Sequence, residues 1–334
     1  MELQELHDRY GPVIRISPDE LHIRDSDYYE ELYAPGAKKR DKYAGMVRAR
    51  VTDIIADNKV GKKSDGTIFQ TLLDSDLPPH EKTVDRLQDE GQVLIGAGSE
   101  TTAKALSIIT FFLLEDKRKL ERLRAELKAI PSKGDGRFSL TDLEQLPYLT
   151  AAINEGIRLM HGVTTRLPRV SPTEPLRYKD WIIPPGTPVS ESNYFVHMDK
   201  TIFPNPAEYD PGRWLRAAEA GIRLDRYLVS FTKGSRMCVG IKYAPHFSFP
   251  PLIPRPIPLH RALFPRQLLL SYFPTKFHLA YAELYLTVAM IMSRFEMENY
   301  ETSYETDIRI DRDFFVGVPS PESKGVRAKI VAQV

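Results

Sequence analysis

The chain has 334 residues, of which 42% are apolar, 46 are Lys or Arg and 45 are Asp or Glu. That is enough apolar sequence to fill a core, and a formal net charge of +1 creates no field that would favour nucleic acid or an anionic membrane. A single cysteine, Cys238, excludes an intrachain disulfide and a four-cysteine zinc site, leaving a free thiol or a thiolate ligand.

The opening residues MELQELHDRYGPVIRIS carry no apolar run of signal-peptide or anchor length, so the sequence reads as soluble. Val13 to Ile16 and Glu20 to Ile23 read as two short strands around the turn residues Ser17, Pro18 and Asp19. Polar helical sequence after Asp41 leads into a long helical pattern from about Thr83 to Leu114. Next, DKRKLERLRAELKAI interleaves acids and bases, which predicts a helix with a solvated outer face. A third helix is expected from about Tyr148 to Met160, entered through Thr141, Asp142, Leu143, Glu144 and Pro147. Pro-punctuated strands come after it in RLPRVSPTEPLRYKDWIIPPGTPVSES, with a tight turn at Pro184, Pro185 and Gly186. The pattern is mainly α with a minor β part. Tyr243 to His278 stands apart, holding 8 of the 26 prolines and no Asp, Glu or Gly in 36 residues. A run such as PPLIPRPIPL cannot continue a helix, because each proline removes a donor and clashes with the preceding turn at about 3 kcal/mol. Helical sequence resumes at LAYAELYLTVAMIMSRF.

Four motifs bear on chemistry. GAGSETT, Gly96 to Thr102, puts glycines in the middle of the long helix, where each costs about 0.5–1 kcal/mol relative to Ala. It reads either as a groove admitting a small ligand at Gly98, with Glu100 and Thr101 managing protons, or as close packing of small residues. Glu155 and Arg158 in EGIR stand at i, i+3, the spacing of an ordinary surface ion pair. YDPGRW, Tyr209 to Trp214, reads as a Pro-rich loop with one aromatic anchor. FTKGSRMCVG, Phe231 to Gly240, differs in kind: Phe231, Gly234, Arg236, Cys238 and Gly240 frame the only thiol with turn-permitting glycines and a cation. Amides turned toward the sulfur and a helix start just beyond it would favour the thiolate, and Arg236 would pair with a ligand carboxylate. The alternative is a buried structural cysteine beside a turn.

Together and in this order, the four motifs resemble those of cytochromes P450, haem-thiolate monooxygenases, and of the fungal members in particular. The resemblance covers nearly the whole chain except Tyr43 to about Arg48 and the proline-rich stretch. It implies haem b held through Cys238 as axial iron ligand, the thiolate pushing electron density toward cleavage of the O–O bond. Arg236 and Arg169 in TRLPR match propionate-binding positions, Phe231 lies against the sulfur side, and Gly234 and Gly240 shape the haem loop. Gly98 lines the oxygen pocket, with Glu100 and Thr101 as the acid and alcohol that relay protons. Glu155 and Arg158 become, with Arg213, a buried network bracing the loop before the cysteine. The implied reaction inserts one oxygen atom of O2 into a small apolar molecule, in secondary metabolism. Electrons would come from a separate flavoprotein reductase, no flavin or nicotinamide fingerprint being present, and nucleic acid is not an expected partner. The family sits at the endoplasmic reticulum membrane surface; without an anchor, this chain is expected in the cytoplasm.

The pattern implies one incomplete domain: an amino-terminal β region at 1–43, the oxygen helix to the haem-cysteine loop at 46–242, the insert at 243–278 and a carboxy-terminal helix and β region at 279–334. At Asp41 to Met46 the sequence passes straight from the first sheet to just before the oxygen helix, skipping helices that in the family cover the haem. Neither Trp181 nor Trp214 is followed by Arg in the family's Trp-x-x-x-Arg propionate spacing. Removing Tyr243 to His278 joins GIK directly to LAYAELYL, which suggests translated intron; a proline-rich docking loop is the alternative. Two readings of the whole chain result: a haem monooxygenase, or a non-catalytic remnant without stable haem.

Overall fold

The computed structural model describes residues 9–11, 13–17, 20–23, 42–59, 61, 68–130, 138–165, 167–241 and 279–333. It divides into two compact units, residues 1–94 and 95–334. Among the described residues helices dominate, and every sheet is a two-stranded antiparallel pair. The expected class, mainly α with a minor β part, is the one the chain adopts.

In the first unit β1 (Val13–Ser17) pairs antiparallel with β2 (Glu20–Ile23), as their spacing predicts. Helices α1 (Lys42–Lys59) and α2 (Ile68–Asp74) come next. Val47 and Val51 of α1 bury against Phe69, Leu72 and Leu87. The closest approach is at Gly91, where a Cβ would stand 2.6 Å from Val47 and 2.8 Å from Phe69, so no larger residue fits without repacking.

The long helix α3 runs unbroken over Val84–Glu115, within a residue of its expected bounds. Asp116 ends it and caps α4 (Lys117–Lys128), accepting from the Arg118 amide at 3.0 Å. Leu120, Leu123 and Leu127 put one face of α4 into the core. The expected solvated face is only half of this helix: Arg124 donates to the Met292 and Phe295 carbonyls, and Glu126 accepts from the Tyr148 and Leu149 amides at 2.8 Å. Glu126 thus caps, from another helix, α6 (Pro147–Met160); the short α5 (Leu140–Leu143) before it supplies no side-chain cap to α6. Charge at the first turn of α6 is favourable because its free amides point at the carboxylate.

Helix α6 is buried along almost its entire length and lies close to α3, since a Cβ on Gly156 would come within 2.2 Å of Ile109. It ends in two left-handed residues, His161 (φ 63°) and Gly162 (φ 70°). Strands β3 (Arg169–Val170), β4 (Leu176–Tyr178), β5 (Trp181–Ile183) and β6 (Pro188–Val189) form the Pro-punctuated region, pairing β3 with β6 and β4 with β5. Helices α7 (Asn193–His197) and α8 (Gly212–Glu219) precede the cysteine stretch. Helix α9 (Leu279–Arg294) begins where helical sequence was expected to resume, burying Tyr285, Val288 and Met292; the Tyr285 hydroxyl meets Thr150 Oγ1 at 2.7 Å. Strands β7 (Phe295–Asn299) and β10 (Ala328–Gln333) pair, as do β8 (Arg312–Phe314) and β9 (Val316–Val318). The proline-rich segment from Tyr243 to His278, and residue 41 at the first junction, lie outside the described residues. No helix among the described residues is long and apolar enough to cross a membrane.

Candidate haem-thiolate site

Three of the singled-out residues meet in one buried cluster. Glu155 and Arg158 are fully buried and Arg213 is 7% exposed. Glu155 Oε1 accepts from Arg158 Nη2 at 2.8 Å, Arg213 Nε at 2.9 Å and the Asp210 amide at 3.0 Å; Oε2 accepts from Arg158 Nε and Trp214 Nε1, both at 2.9 Å. The surface-pair reading of EGIR therefore does not apply. One carboxylate faces two cations, and the surplus positive charge is taken by carbonyl dipoles. Arg158 donates to the His197, Pro206 and Glu208 carbonyls, Arg213 to those of Pro204, Asn205 and Glu208. Arg158 also lies over the Phe203 ring at 5.0 Å. This satisfies the donors that a buried guanidinium must place, and it ties residues 197–214 to α6.

The same helix holds the approach to the cysteine. Ser230 Oγ donates to the Ile157 carbonyl at 2.8 Å, and the Val229 amide donates to His197 Nε2 at 3.0 Å. A Cβ on Gly162 would sit 2.2 Å from the Ser230 carbonyl oxygen. His197, Ser230, Gly162 and Glu126 are positioning residues that the sequence alone did not flag. Their partners lie many residues away and obey no helical or strand period.

From there Phe231 packs on the main core with its ring 5.7 Å from that of Tyr281. Thr232 and Gly234 take left-handed backbone (φ 56° and 79°), Gly234–Arg236 makes one 3-10 turn, and the Cys238 amide donates back to the Phe231 carbonyl at 2.9 Å. The loop closes on itself and presents an exposed Cys238. A buried structural cysteine is thereby ruled out. The chain does not enter α9 directly from the cysteine: a second 3-10 turn, Val239–Ile241, intervenes, with Gly240 against Ala280. A Cβ on Gly240 would lie 3.7 Å from Cys238 Sγ, in ordinary contact with the sulfur. The Arg236 side chain is exposed and meets no carboxylate among the described residues. An exposed thiol and, two residues before it, a guanidinium with no carboxylate partner among the described residues fit an iron-bound porphyrin with acidic side chains.

The remaining candidates lie elsewhere. Gly98, Glu100 and Thr101 stand within one turn of α3; open space surrounds a Cβ built on Gly98, Glu100 is exposed, and Thr101 Oγ1 donates to the Ala97 carbonyl at 2.8 Å. Thr102, the next residue, reaches Glu283 of α9 at 3.1 Å and so links this part of α3 to the helix against Gly240. Arg169, at the start of β3, folds its guanidinium over the Leu167 and Pro168 carbonyls at 3.1 Å.

The family model for cytochrome P450 matches residues 24–248. The chain belongs to the cytochrome P450 family. Among curated P450 relatives, it is 40% identical to cytochrome P450 monooxygenase claJ of Penicillium crustosum over 298 residues, 89% of this chain and 60% of the relative. It is 42% identical to cytochrome P450 monooxygenase sdnE of Sordaria araneosa over 285 residues, 84% of this chain and 48% of the relative. The chain thus spans about half to three-fifths of these P450 relatives. With cytochrome P450 monooxygenase SAT11 of Stachybotrys chartarum the likeness is 27% over 467 aligned positions, covering 96% of this chain and 81% of the relative. Because the chain has 334 residues, that span includes long stretches of the relative without a counterpart here.

Proposed function

We propose that this chain carries the haem-thiolate site of a fungal-type P450 monooxygenase, with Cys238 as the iron ligand. The observation that carries the reading is the exposed thiol on a loop braced by the buried Glu155–Arg158–Arg213 cluster. Haem b, when bound, would supply the activation of dioxygen for insertion of one oxygen atom into an apolar small molecule of secondary metabolism. The chain's own residues do the rest. Cys238 binds, Arg236 pairs with a propionate, Phe231 packs the sulfur side, and Gly234 and Gly240 let the loop turn close to the macrocycle. Arg169 is the second propionate partner once its guanidinium leaves its own backbone carbonyls. Gly98 leaves room for a small ligand against α3, Thr101 orients a proton by its hydroxyl, and Glu100, exposed, exchanges that proton with solvent. Electrons come from a separate flavoprotein reductase, and the site of action is the endoplasmic reticulum surface or the cytoplasm.

The aligned stretches with no counterpart here favour a second reading, a remnant that folds but retains no haem. One experiment separates the two. The whole chain, the same chain lacking Tyr243 to His278, and each with Cys238→Ser are expressed with haem supply and compared for haem per protein after gel filtration. The monooxygenase reading expects the red-shifted carbon monoxide band of thiolate-ligated haem in at least one Cys238 form and its loss in both serine variants. A band surviving Cys238→Ser overturns the ligand assignment; no haem in any form establishes the remnant.

A further inference from the structure

Lys104 lies on α3 one turn beyond Glu100, and its ammonium points inward to the Gly317 carbonyl of β9. An ammonium carries three donors; this one has a single carbonyl and no carboxylate in contact among the described residues. The β8–β9 hairpin that covers it is itself assembled at a cost. Phe315, at its turn, is a bulky residue at φ 71°. Its other anchors lie on the segment after α6. Val163 bridges Val316, the Thr164 amide donates to the Phe315 carbonyl at 2.9 Å, and the Thr164 and Thr165 hydroxyls donate to Asp313 at 2.8 Å. The Lys104 ammonium thus lies under the docked hairpin with one carbonyl for its three donors.

We infer that Lys104 is a proton-sensitive positioning residue for the β8–β9 hairpin: its charge opposes docking of the hairpin on α3, and loss of the proton lets the hairpin close. The reason is hydration. A docked hairpin strips water from the ammonium and returns one hydrogen bond, whereas an undocked one restores the full shell. Burial accordingly lowers the Lys104 pKa to about 8, with Glu100 pulling it back up. The other charged groups nearby are accounted for. His161, at the end of α6, is kept neutral by burial; Asp313 is engaged by the two threonines; Arg312 turns to the Pro319 carbonyl. Phe314 and Phe315, 66% and 59% exposed, travel with the hairpin. The docking equilibrium itself needs no haem.

The sign of the pH dependence separates this from a plain structural tie. The docked form holds fewer protons than the open form between pH about 8 and the ordinary lysine value, so raising pH strengthens docking. Hydrogen–deuterium exchange of peptides covering 312–318 in the full chain, corrected for intrinsic rates, should show protection rising about tenfold from pH 7 to pH 9. Lys104→Met should be at least as protected at pH 7 as the native chain at pH 9 and show no trend. Lys104→Arg, which keeps its charge, should show no rise. Protection that is flat or falls with pH in the native chain overturns the inference, as does faster hairpin exchange in Lys104→Met. Should the methionine variant fold poorly, acylation rates of Lys104 in the native chain give an independent reading: a titration near the ordinary lysine value also overturns it.

Discussion

Glu155→Gln tests the buried cluster with the least change of shape. The carboxylate accepts five hydrogen bonds, four of them from side chains of Arg158, Arg213 and Trp214, and it is fully buried. The amide removes the only negative charge in contact with both guanidinium groups among the described residues. Its NH2 must also face N–H donors, whichever way it is turned. Leaving a buried ion without its counter-charge costs about 3–5 kcal/mol. A domain of this size has roughly 5–15 kcal/mol in total, so the variant should lose about 10 °C in Tm and a large part of its stability. Urea denaturation followed by helix circular dichroism measures it, at unchanged m-value if two-state unfolding holds. A cycle with Arg213→Met should show positive coupling, because once one cation is gone the missing carboxylate matters less. A loss below about 1 kcal/mol would mean the pair is solvated, and would refute the account of how the loop at 197–214 is held.

Three further outcomes rest on the same geometry. Burial, assisted by His197 and Arg158, holds His161 well below its ordinary pKa, and burial with Arg158 lowers His197 to about 3. Both stay neutral in the fold while the unfolded chain protonates them near pH 6.5, so their contribution is complete above that pH and lost as pH falls. Each should cost about 2 kcal/mol between pH 6.5 and 5, and His161→Phe should flatten the decline by about one proton. Gly162→Ala combines a left-handed backbone with a Cβ 2.2 Å from the Ser230 oxygen, and should destabilise by about 2 kcal/mol or more in denaturant titration. Gly98→Ala goes the other way: open space and helical backbone predict a gain of about 0.5–1 kcal/mol in the haem-free chain, together with weaker binding of small ligands in a haem-loaded form.

Local pattern made some of this visible and could not make the rest visible. The bounds of α3, α6 and α9 were legible from periodicity and from proline, because those signals lie within one turn of the boundary. The depth of Glu155 was not: at i, i+3 a buried pair and a surface pair look alike, and only the motif's company suggested burial. The charges on α4 misled in the same way. Arg124 and Glu126 sit among solvated neighbours in the sequence, yet they serve carbonyls and amides about 170 and 22 residues away, a relation with no sequence period. The cysteine loop was readable because glycines and a lone thiol stand out in composition. Helix α3 was readable as a helix, but the Thr101 hydroxyl bonds its own helix carbonyl, and nothing in GAGSETT foretold that Thr102 would reach Glu283.

Under the proposed function, stability and haem binding would rest on different residues of one connected structure. The Glu155 cluster fixes residues 197–214, His197 and Ser230 then fix residues 229 and 230, and only after them does the chain enter the exposed loop of Cys238. A defect upstream should therefore propagate to the loop, while a defect in the loop should stop there. Glu155→Gln should lower both Tm and haem per protein. Cys238→Ser removes an exposed side chain and should leave the haem-free stability within about 0.5 kcal/mol of the native chain, while eliminating the thiolate band. The ordering fails if the serine variant unfolds as readily as the glutamine variant, because the exposed loop would then be holding the fold rather than being held by it.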